Sequence, residues 1–369
     1  MTNVQSLLFY SGIFLSSIFF SWRYQRNYSS KCIKYANVRH NHIKEYIYFV
    51  LVIFLPVFVS TIRYNVGTDY VSYRSHYYHW SKFSFLDVLK LSNEPLSYIL
   101  HPLARYLFGH EWGYFLLSST IIMTFVTITV FYYKNEISVP LAIFIYYMLF
   151  WSFSLNGIRQ MMAISIILYA YRYIFERKPL KYILFVSIAS GFHTSALICI
   201  FFYLLSFRPS KISSLKRVIF YLCLGVSPLL MPLLLKIALK LDIFWKYAQN
   251  YELFFERGGL GFLIWVIPPL IPAAYYSKNI NNKYRCLFDI CVLQIPFQYV
   301  GYYVTYGSRI SLYSLAGQII LVPLVTKSIS NKKGKLLVKL YYVLWYLFYF
   351  IIRSYIWNHS EAFPFNSIL

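Results

Sequence analysis

The sequence predicts an all-α polytopic membrane protein with about 10–12 transmembrane helices, some of them broken or re-entrant. Of the 369 residues, 59% are hydrophobic, 22% are aromatic and only 13% are charged. That is more apolar surface than one soluble core buries. The apolar runs repeatedly reach the roughly 17–25 residues that cross a bilayer as a helix. We therefore expect residues 1–369 to form a single integral membrane domain.

The formal net charge of +23 is concentrated between the apolar runs. Most Lys and Arg residues fall in five segments that we expect to be cytoplasmic loops: 23–45, 176–181, 207–217, 278–285 and 327–339. Most acidic residues fall in the opposite set, which we expect to face outward: the loops 63–95 and 234–259 and the C-terminal tail. The charge thus indicates orientation and attraction to membrane lipids, and no interleaved basic motif suggests nucleic acid as a partner.

Cysteine and histidine spacing gives no sign of a metal site or a disulfide framework. None of the five cysteines forms a CxxC pair, and the histidines lack helical ligand spacing with carboxylates. We therefore expect no metal.

The N-terminal part of the chain predicts two spans followed by a large outer loop. The span 4–22 has neither a preceding basic region nor a small-residue cleavage site, so we interpret it as retained rather than as a signal peptide. The span 46–62 returns to the outside and ends at Arg63. The loop that follows contains an amphipathic helix over 83–91 and closes with Ser92-Asn93-Glu94-Pro95, a helix-start signal.

The next apolar stretch, 96–108, has only 13 residues, roughly 20 Å as a helix, so we expect a half-helix or re-entrant element. The stretch 182–206 is interrupted by Gly191-Phe192-His193, which predicts two short helices that meet below the outer surface. The remaining predicted spans are 113–133, 139–155, 158–175, 218–233, 260–277, 286–304, 309–326 and 336–353.

With this topology, six polar residues near span ends converge on the outer side: Arg63, Asp69, Glu94, Arg159, His193 and Arg309. Each arginine, taken singly, also fits a helix anchor that snorkels to the interface. Three guanidinium groups facing one cavity would bind a diphosphate through forked, charge-assisted hydrogen bonds and stabilise it as it leaves.

Three of these residues are candidate bases for an attacking hydroxyl, and the sequence does not choose among them. His193 lies beside a helix break and carries the side chain suited to proton transfer near neutral pH. Asp69 is equally consistent with a residue that bonds its own turn backbone, and Glu94 with a first-turn helix acid.

The aromatic residues of 63–80 have two interpretations. Tyr and Trp present flat apolar faces with polar edges, as a sugar-stacking platform requires, and they are also typical of an interfacial aromatic belt. The candidates for the platform are Tyr73, Tyr77, Tyr78 and Trp80.

At these positions the chain resembles the EpsG-like, Wzy-type family of bacterial polysaccharide polymerases. The matching pieces are Arg63 to Tyr70 with Tyr73, Asn93-Glu94-Pro95, Asn156 to Gln160, Ala189 to Ala196, Arg309 to Tyr313 and a Pro364-containing tail. The family tail usually reads Pro-Tyr, whereas this chain has Pro364-Phe365 and therefore no tyrosine hydroxyl at that position.

The resemblance implies a metal-independent, GT-C-like glycosyltransferase without a cofactor in the bacterial inner membrane, its active site facing outward. It would transfer a growing glycan from undecaprenyl diphosphate to a sugar hydroxyl of the next lipid-linked repeat unit. Expected partners are the undecaprenyl-diphosphate-linked donor and acceptor, membrane lipids, a flippase and a chain-length regulator.

Two alternatives are a flippase or transporter for the same lipid-linked oligosaccharide, and a ligase that moves finished glycan to another acceptor. A flippase needs polar residues through the full depth of a central cavity, whereas here the polar groups gather on one side. A ligase uses the same chemistry as a polymerase, so the residues alone do not distinguish the two.

Overall fold

The computed structural model describes residues 1–34, 42–207, 260–301 and 307–368, and these are almost entirely helical. The described part of the chain holds one isolated bridge, between Arg63 and Ser367, and no extended strand. Six of its helices are long and apolar enough to cross a membrane: Asn3–Tyr28, Ile43–Ile62, Trp112–Tyr132, Val139–Asn156, Gly307–Ser328 and Lys332–Ile356. The predicted all-α polytopic membrane fold is confirmed.

The first half of the chain forms ten α-helices. They are α1 (Asn3–Lys34), α2 (His42–Ile62), α3 (Tyr70–Trp80), α4 (Phe85–Leu91), α5 (Pro95–Tyr98), α6 (Leu100–Phe108), α7 (Trp112–Tyr132), α8 (Val139–Asn156), α9 (Ile158–Phe175) and α10 (Pro179–Phe192), followed by a 3-10 helix, Thr194–Phe207. The packing brings α7 against α2 and α9, α9 against α10, and α1 against α2 and α8. Helices α8 and α9, the most completely buried of these ten, lie at the centre of this bundle.

The second half of the described chain is more often interrupted. It contains α11 (Leu263–Tyr276), α12 (Arg285–Val292), α13 (Gln294–Val300), α14 (Ser311–Ala316), α15 (Gln318–Ser328) and α16 (Lys332–Phe350), which runs into a π-turn, Ile351–Ile356. The predicted span 286–304 is described as far as residue 301, and this part is divided between α12 and α13. The predicted span 218–233 and the predicted outer loop 234–259 lie outside the described residues.

The break predicted in 182–206 is confirmed. Helix α10 ends at Phe192, and His193 has extended backbone angles, φ −156° and ψ 119°. A Cβ atom on Gly191 would lie 2.8 Å from the Leu96 side chain, so the glycine allows the end of α10 to approach the start of α5. The break thus brings His193 next to the residues that begin α5.

The segment 63–95 contains more structure than the sequence predicts. The amphipathic helix is present as α4, whose first turn is capped by Ser84, the side chain of which accepts from Asp87 N. In front of it lies α3, which the sequence did not indicate because its eleven residues, YVSYRSHYYHW, carry little apolar periodicity. Since α3 is short and polar, tertiary packing rather than its own pattern stabilises it.

The C-terminal tail lies across the beginning of this segment. Tyr64 N donates to Asn366 O at 2.9 Å, and Gly67 N donates to Glu361 O at 3.0 Å. The buried hydroxyl of Tyr10 in α1 holds the tail from the other side by donating to Ala362 O at 3.0 Å. The two ends of the chain therefore fix the turn between Arg63 and Asp69.

Candidate functional site

One buried carboxylate joins three segments that are distant in sequence. Glu94 is 7% exposed. Its Oε2 accepts from Arg159 NH1 at 2.6 Å, and its Oε1 lies 2.7 Å from His193 Nδ1. The same Oε1 accepts from the backbone N–H of Thr194 at 3.0 Å. The start of α5, the start of α9 and the break after α10 thus meet at Glu94.

The surroundings of Glu94 keep its carboxylate ionised. Burial raises its pKa, but the hydrogen bond and charge of His193, the Thr194 N–H and the charge of Arg159 outweigh this and hold the pKa below its usual value. An ionised carboxylate only accepts hydrogen bonds, so the proton shared with His193 belongs to Nδ1. When the ring is neutral, Nε2 then carries its lone pair.

Glu94 occupies the position before α5 but does not act as a cap. Its side chain makes no capping hydrogen bond, although Pro95 stands in the first turn as the sequence predicts. The carboxylate instead turns toward Arg159 and His193. The contacts of Glu94 are therefore not those of an acidic residue that stabilises the first turn of a helix.

Tyr98, one turn after Glu94, completes the surroundings of Arg159. Its hydroxyl accepts from Arg159 NH1 at 2.9 Å, and its ring lies 5.3 Å from the guanidinium carbon. The ring centroid of Trp80 lies 4.7 Å from that of Tyr98. The sequence interpretation missed Tyr98, although the i, i+4 spacing from Glu94 offered a signal.

The segment 63–80 positions Arg159 indirectly, through the turn between α8 and α9. Asn156 Oδ1 accepts from Thr68 Oγ1 at 2.6 Å and from Asp69 N at 2.9 Å. The Tyr73 hydroxyl accepts from Ile158 N, the residue before Arg159, at 3.0 Å. These bonds fix the backbone that carries the guanidinium.

Gly67 allows the segment 63–80 to lie close to the end of α8. Its φ of +99° lies in the region that favours glycine, and a Cβ atom there would come within 2.7 Å of Leu155 O. Gly67 therefore begins a turn that lies in close contact with the end of α8.

Arg309 and Asp69 both contact the residues that flank the α8–α9 turn through their backbones. Arg309 lies in the 3-10 turn Gly307–Ile310, and its carbonyl accepts from Gln160 Nε2 at 3.0 Å, one residue beyond Arg159. The Asp69 backbone bonds to Asn156, and its side chain makes no capping bond at the start of α3.

Arg63 lies in a different environment from Arg159. It is 2% exposed, its NH1 donates to Ser60 O at 2.9 Å, and its guanidinium carbon lies 4.4 Å from the Phe115 ring centroid. Its Nε and NH2 atoms find no hydrogen-bond partner among the described residues. Burial lowers the pKa of Arg63 to about 10, so the side chain remains charged at neutral pH.

Of the four aromatic residues predicted to form a sugar-stacking platform, Trp80 alone packs its ring against that of Tyr98. Tyr73 and Tyr77 are buried, at 5% and 4% exposure, and the exposed Tyr78 bonds instead to Glu111. The remaining wall beside Arg159 carries imidazoles that the sequence interpretation did not single out.

Two histidines, His76 and His101, form that wall and are neutral. Their ring centroids lie 5.7 Å and 6.0 Å from that of Tyr98. Burial and the neighbouring charge of Arg159 lower the pKa of His76, and burial together with His76 and Arg159 lowers that of His101 to about 3. Arg159 is thus the cation of this wall. Within the described ranges, no three His, Cys, Asp or Glu side chains are grouped as metal ligands.

Comparison with protein-family models identifies one match. The model described as the EpsG family matches residues 46–367, a range that includes Glu94, Arg159, His193 and Arg309. No curated protein and no solved structure matches the chain significantly.

Proposed function

The chain belongs to the EpsG family, whose function is of the polysaccharide polymerase type, and we propose that it transfers a growing glycan from undecaprenyl diphosphate to the next lipid-linked repeat unit. The acceptor is a sugar hydroxyl of that unit. The reaction would take place at the outer leaflet of the bacterial inner membrane, as a metal-independent GT-C-type glycosyl transfer.

The observation that carries the proposal is the pair of bonds made by Glu94. One oxygen holds the guanidinium of Arg159, a group that recognises phosphate, and the other holds the imidazole of His193, a group that accepts protons. A glycosyl transfer from a lipid diphosphate needs both functions at neighbouring positions, because the leaving group and the attacking hydroxyl act on the same sugar carbon.

In the proposed reaction, His193 is the base. Glu94 orients the ring by accepting from Nδ1, and Nε2 takes the proton of the acceptor hydroxyl. The hydroxyl oxygen forms a bond to the anomeric carbon of the donor sugar. The bond from that carbon to the diphosphate oxygen breaks, and the electron pair leaves with undecaprenyl diphosphate.

Arg159 and Arg309 are proposed to hold the diphosphate. Charge accumulates on its oxygens as the bond breaks, and guanidinium groups already in place stabilise that charge. Trp80 and Tyr98 then offer aromatic faces to the sugar next to the diphosphate. Because Arg63 is enclosed by protein, we assign it to packing at the end of α2. Because Asp69 contacts Asn156 through its backbone, we assign it to holding the α8–α9 turn.

The proposed surroundings follow from the reaction. The donor and the acceptor are both undecaprenyl-diphosphate-linked oligosaccharides, so a flippase must deliver them to the outer leaflet. A chain-length regulator is a further proposed partner.

The test is deletion of the gene followed by gel electrophoresis of the surface glycan. We expect single repeat units on the final carrier, without a ladder, and recovery of the ladder when the wild-type gene is returned. Loss of all surface glycan with lipid-linked units trapped inside would instead identify a flippase. Long chains that remain on the lipid carrier would identify a ligase.

A second experiment tests the base. His193→Ala should remove the ladder while membrane levels of the protein stay normal, and His193→Gln should not restore it because an amide does not accept the proton. A normal ladder in His193→Ala would exclude His193 as the base.

A further inference from the structure

A second polar region lies at the end of the bundle away from Glu94. It is a cavity of about 270 Å³ formed where α1, α8, α15 and α16 meet. Its polar lining consists of Gln25, Ser138, Thr326, Lys327, Lys335 and Lys339. Three of these six are lysines and none is acidic.

The position of the cavity relative to a bilayer follows from α8. That helix begins at Val139, beside the cavity, and ends at Asn156, beside Arg159. Its 18 residues rise about 27 Å, close to the thickness of a hydrocarbon core. The cavity therefore lies at the headgroup level of the leaflet opposite Arg159.

The walls of the cavity are fixed by hydrogen bonds of Gln25 and Lys327. Gln25 Nε2 donates to Lys134 O and Ile137 O at 2.8 and 2.7 Å, and Gln25 Oε1 accepts from Val139 N at 3.0 Å. Lys327 donates to the carbonyl of Asn135.

Carboxylates contribute little to neutralising the cavity. Glu136 interacts electrostatically with Lys327 and also accepts from Tyr284 at 3.3 Å. The ion pairs found among the described residues include none with Lys327, Lys335 or Lys339. The cavity therefore presents three ammonium groups to whatever occupies it.

The first turns of α16 are basic, since they hold Lys332, Lys333 and Lys335 and no acidic residue. Of these lysines, Lys335 lines the cavity.

We propose that this cavity binds the phosphate group of an anionic phospholipid. Lys335 and Lys339, one turn apart on α16, and Lys327 at the end of α15 surround the phosphate. Leu336 and Leu340, exposed on the same helix, offer apolar contacts to the acyl chains. Basic pockets between transmembrane helices recognise anionic headgroups in this way.

The experiment uses the purified full-length protein in detergent, with lipid binding measured by native mass spectrometry. The probes are phosphatidylglycerol and phosphatidylcholine, which differ in net charge. We expect the wild type to prefer phosphatidylglycerol by about tenfold. The double variant Lys335→Gln/Lys339→Gln should lose this preference.

The matched control is Lys332→Gln/Lys333→Gln, which removes the same charge from the same helix but outside the cavity. It should keep the preference within about twofold of the wild type. If the first double variant yields no folded protein, Lys327→Gln carries the same prediction from the neighbouring helix.

Two results would overturn the proposal. If both double variants lose the preference for phosphatidylglycerol equally, the lysines act only through overall charge, as orientation signals do. Competition by inorganic phosphate at the concentration at which phosphatidylglycerol binds would identify a soluble anion instead of a lipid.

Discussion

Arg159 and Arg63 are both arginines at helix ends, but the structure gives them opposite surroundings. Arg159 follows the α8–α9 turn, keeps 28% of its side chain exposed and pairs with Glu94 at 2.6 Å. Arg63 follows α2, is 2% exposed and lies against Phe115. The first has a carboxylate partner and access to a ligand, whereas the second has neither.

The difference matches the roles that we propose for the two arginines, ligand binding for Arg159 and packing for Arg63. A guanidinium that meets a charged ligand needs an open side and a partner that holds it in place. A guanidinium enclosed by aromatic rings contributes packing and a few backbone contacts. Substitutions at Arg159, Arg63, Gly67 and Tyr98 test this distinction, and we expect their effects to decrease in that order.

Removing Arg159 should have the largest effect on activity. Arg159→Ala should lower polymer formation by about 100-fold or more, because it deletes the donors that stabilise the leaving diphosphate. Quantified glycan ladders from cells with equal protein levels provide the measurement, and the exposed Arg105→Ala serves as control. A normal ladder in Arg159→Ala would remove Arg159 from the diphosphate site.

Two substitutions at Arg63 should separate packing from charge. Arg63→Ala should lower the free energy of unfolding by about 2–4 kcal/mol through the cavity it leaves. Arg63→Met fills the same space without a buried charge, so it should keep both the thermal midpoint and the ladder. Loss of the ladder in a stable Arg63→Met protein would return Arg63 to the diphosphate site.

Gly67 should matter because it brings the segment 63–80 close to α8. Gly67→Ala introduces a Cβ atom 2.7 Å from Leu155 O at a φ of +99°. We expect it to lower the free energy of unfolding by about 1–3 kcal/mol. Gly12→Ala is the control, since its Cβ atom meets nothing within 4 Å. Equal thermal midpoints for the two variants would contradict the close approach.

Tyr98→Phe should have the smallest effect. It removes the hydroxyl that accepts from Arg159 but keeps the ring against Trp80, so polymer formation should fall by about three- to tenfold, the value of one hydrogen bond. Tyr106→Phe, at an 82% exposed position, should change nothing. The measurement is the difference in ladder intensity between the two variants. Equal intensities would exclude a contribution of the Tyr98 hydroxyl to activity.

Much of the fold was predictable because its signals are local. Apolar runs of helical length located α2, α7 and α8, and Gly191 and His193 at the end of α10 marked the break. The end of each helix was harder to place: α1 extends to Lys34, well beyond the predicted 4–22, because helices continue past the apolar stretch.

The candidate site was only partly predictable because its contacts are long-range. The sequence singled out Glu94, Arg159 and His193, but it did not pair them, since the two bonds of Glu94 span 65 and 99 residues. Arg63 and Arg159 looked alike as helix-end arginines. Burial, which depends on α7 and the C-terminal tail, distinguishes them.

The most direct test of the account is the glycan ladder of cells that carry Glu94→Gln. The amide keeps the size of the side chain but removes the charge that pairs with Arg159 and orients His193. We predict that the ladder disappears while the protein remains in the membrane at wild-type level. A full-length ladder in Glu94→Gln would contradict the claim that this carboxylate links the diphosphate-binding arginine to the base.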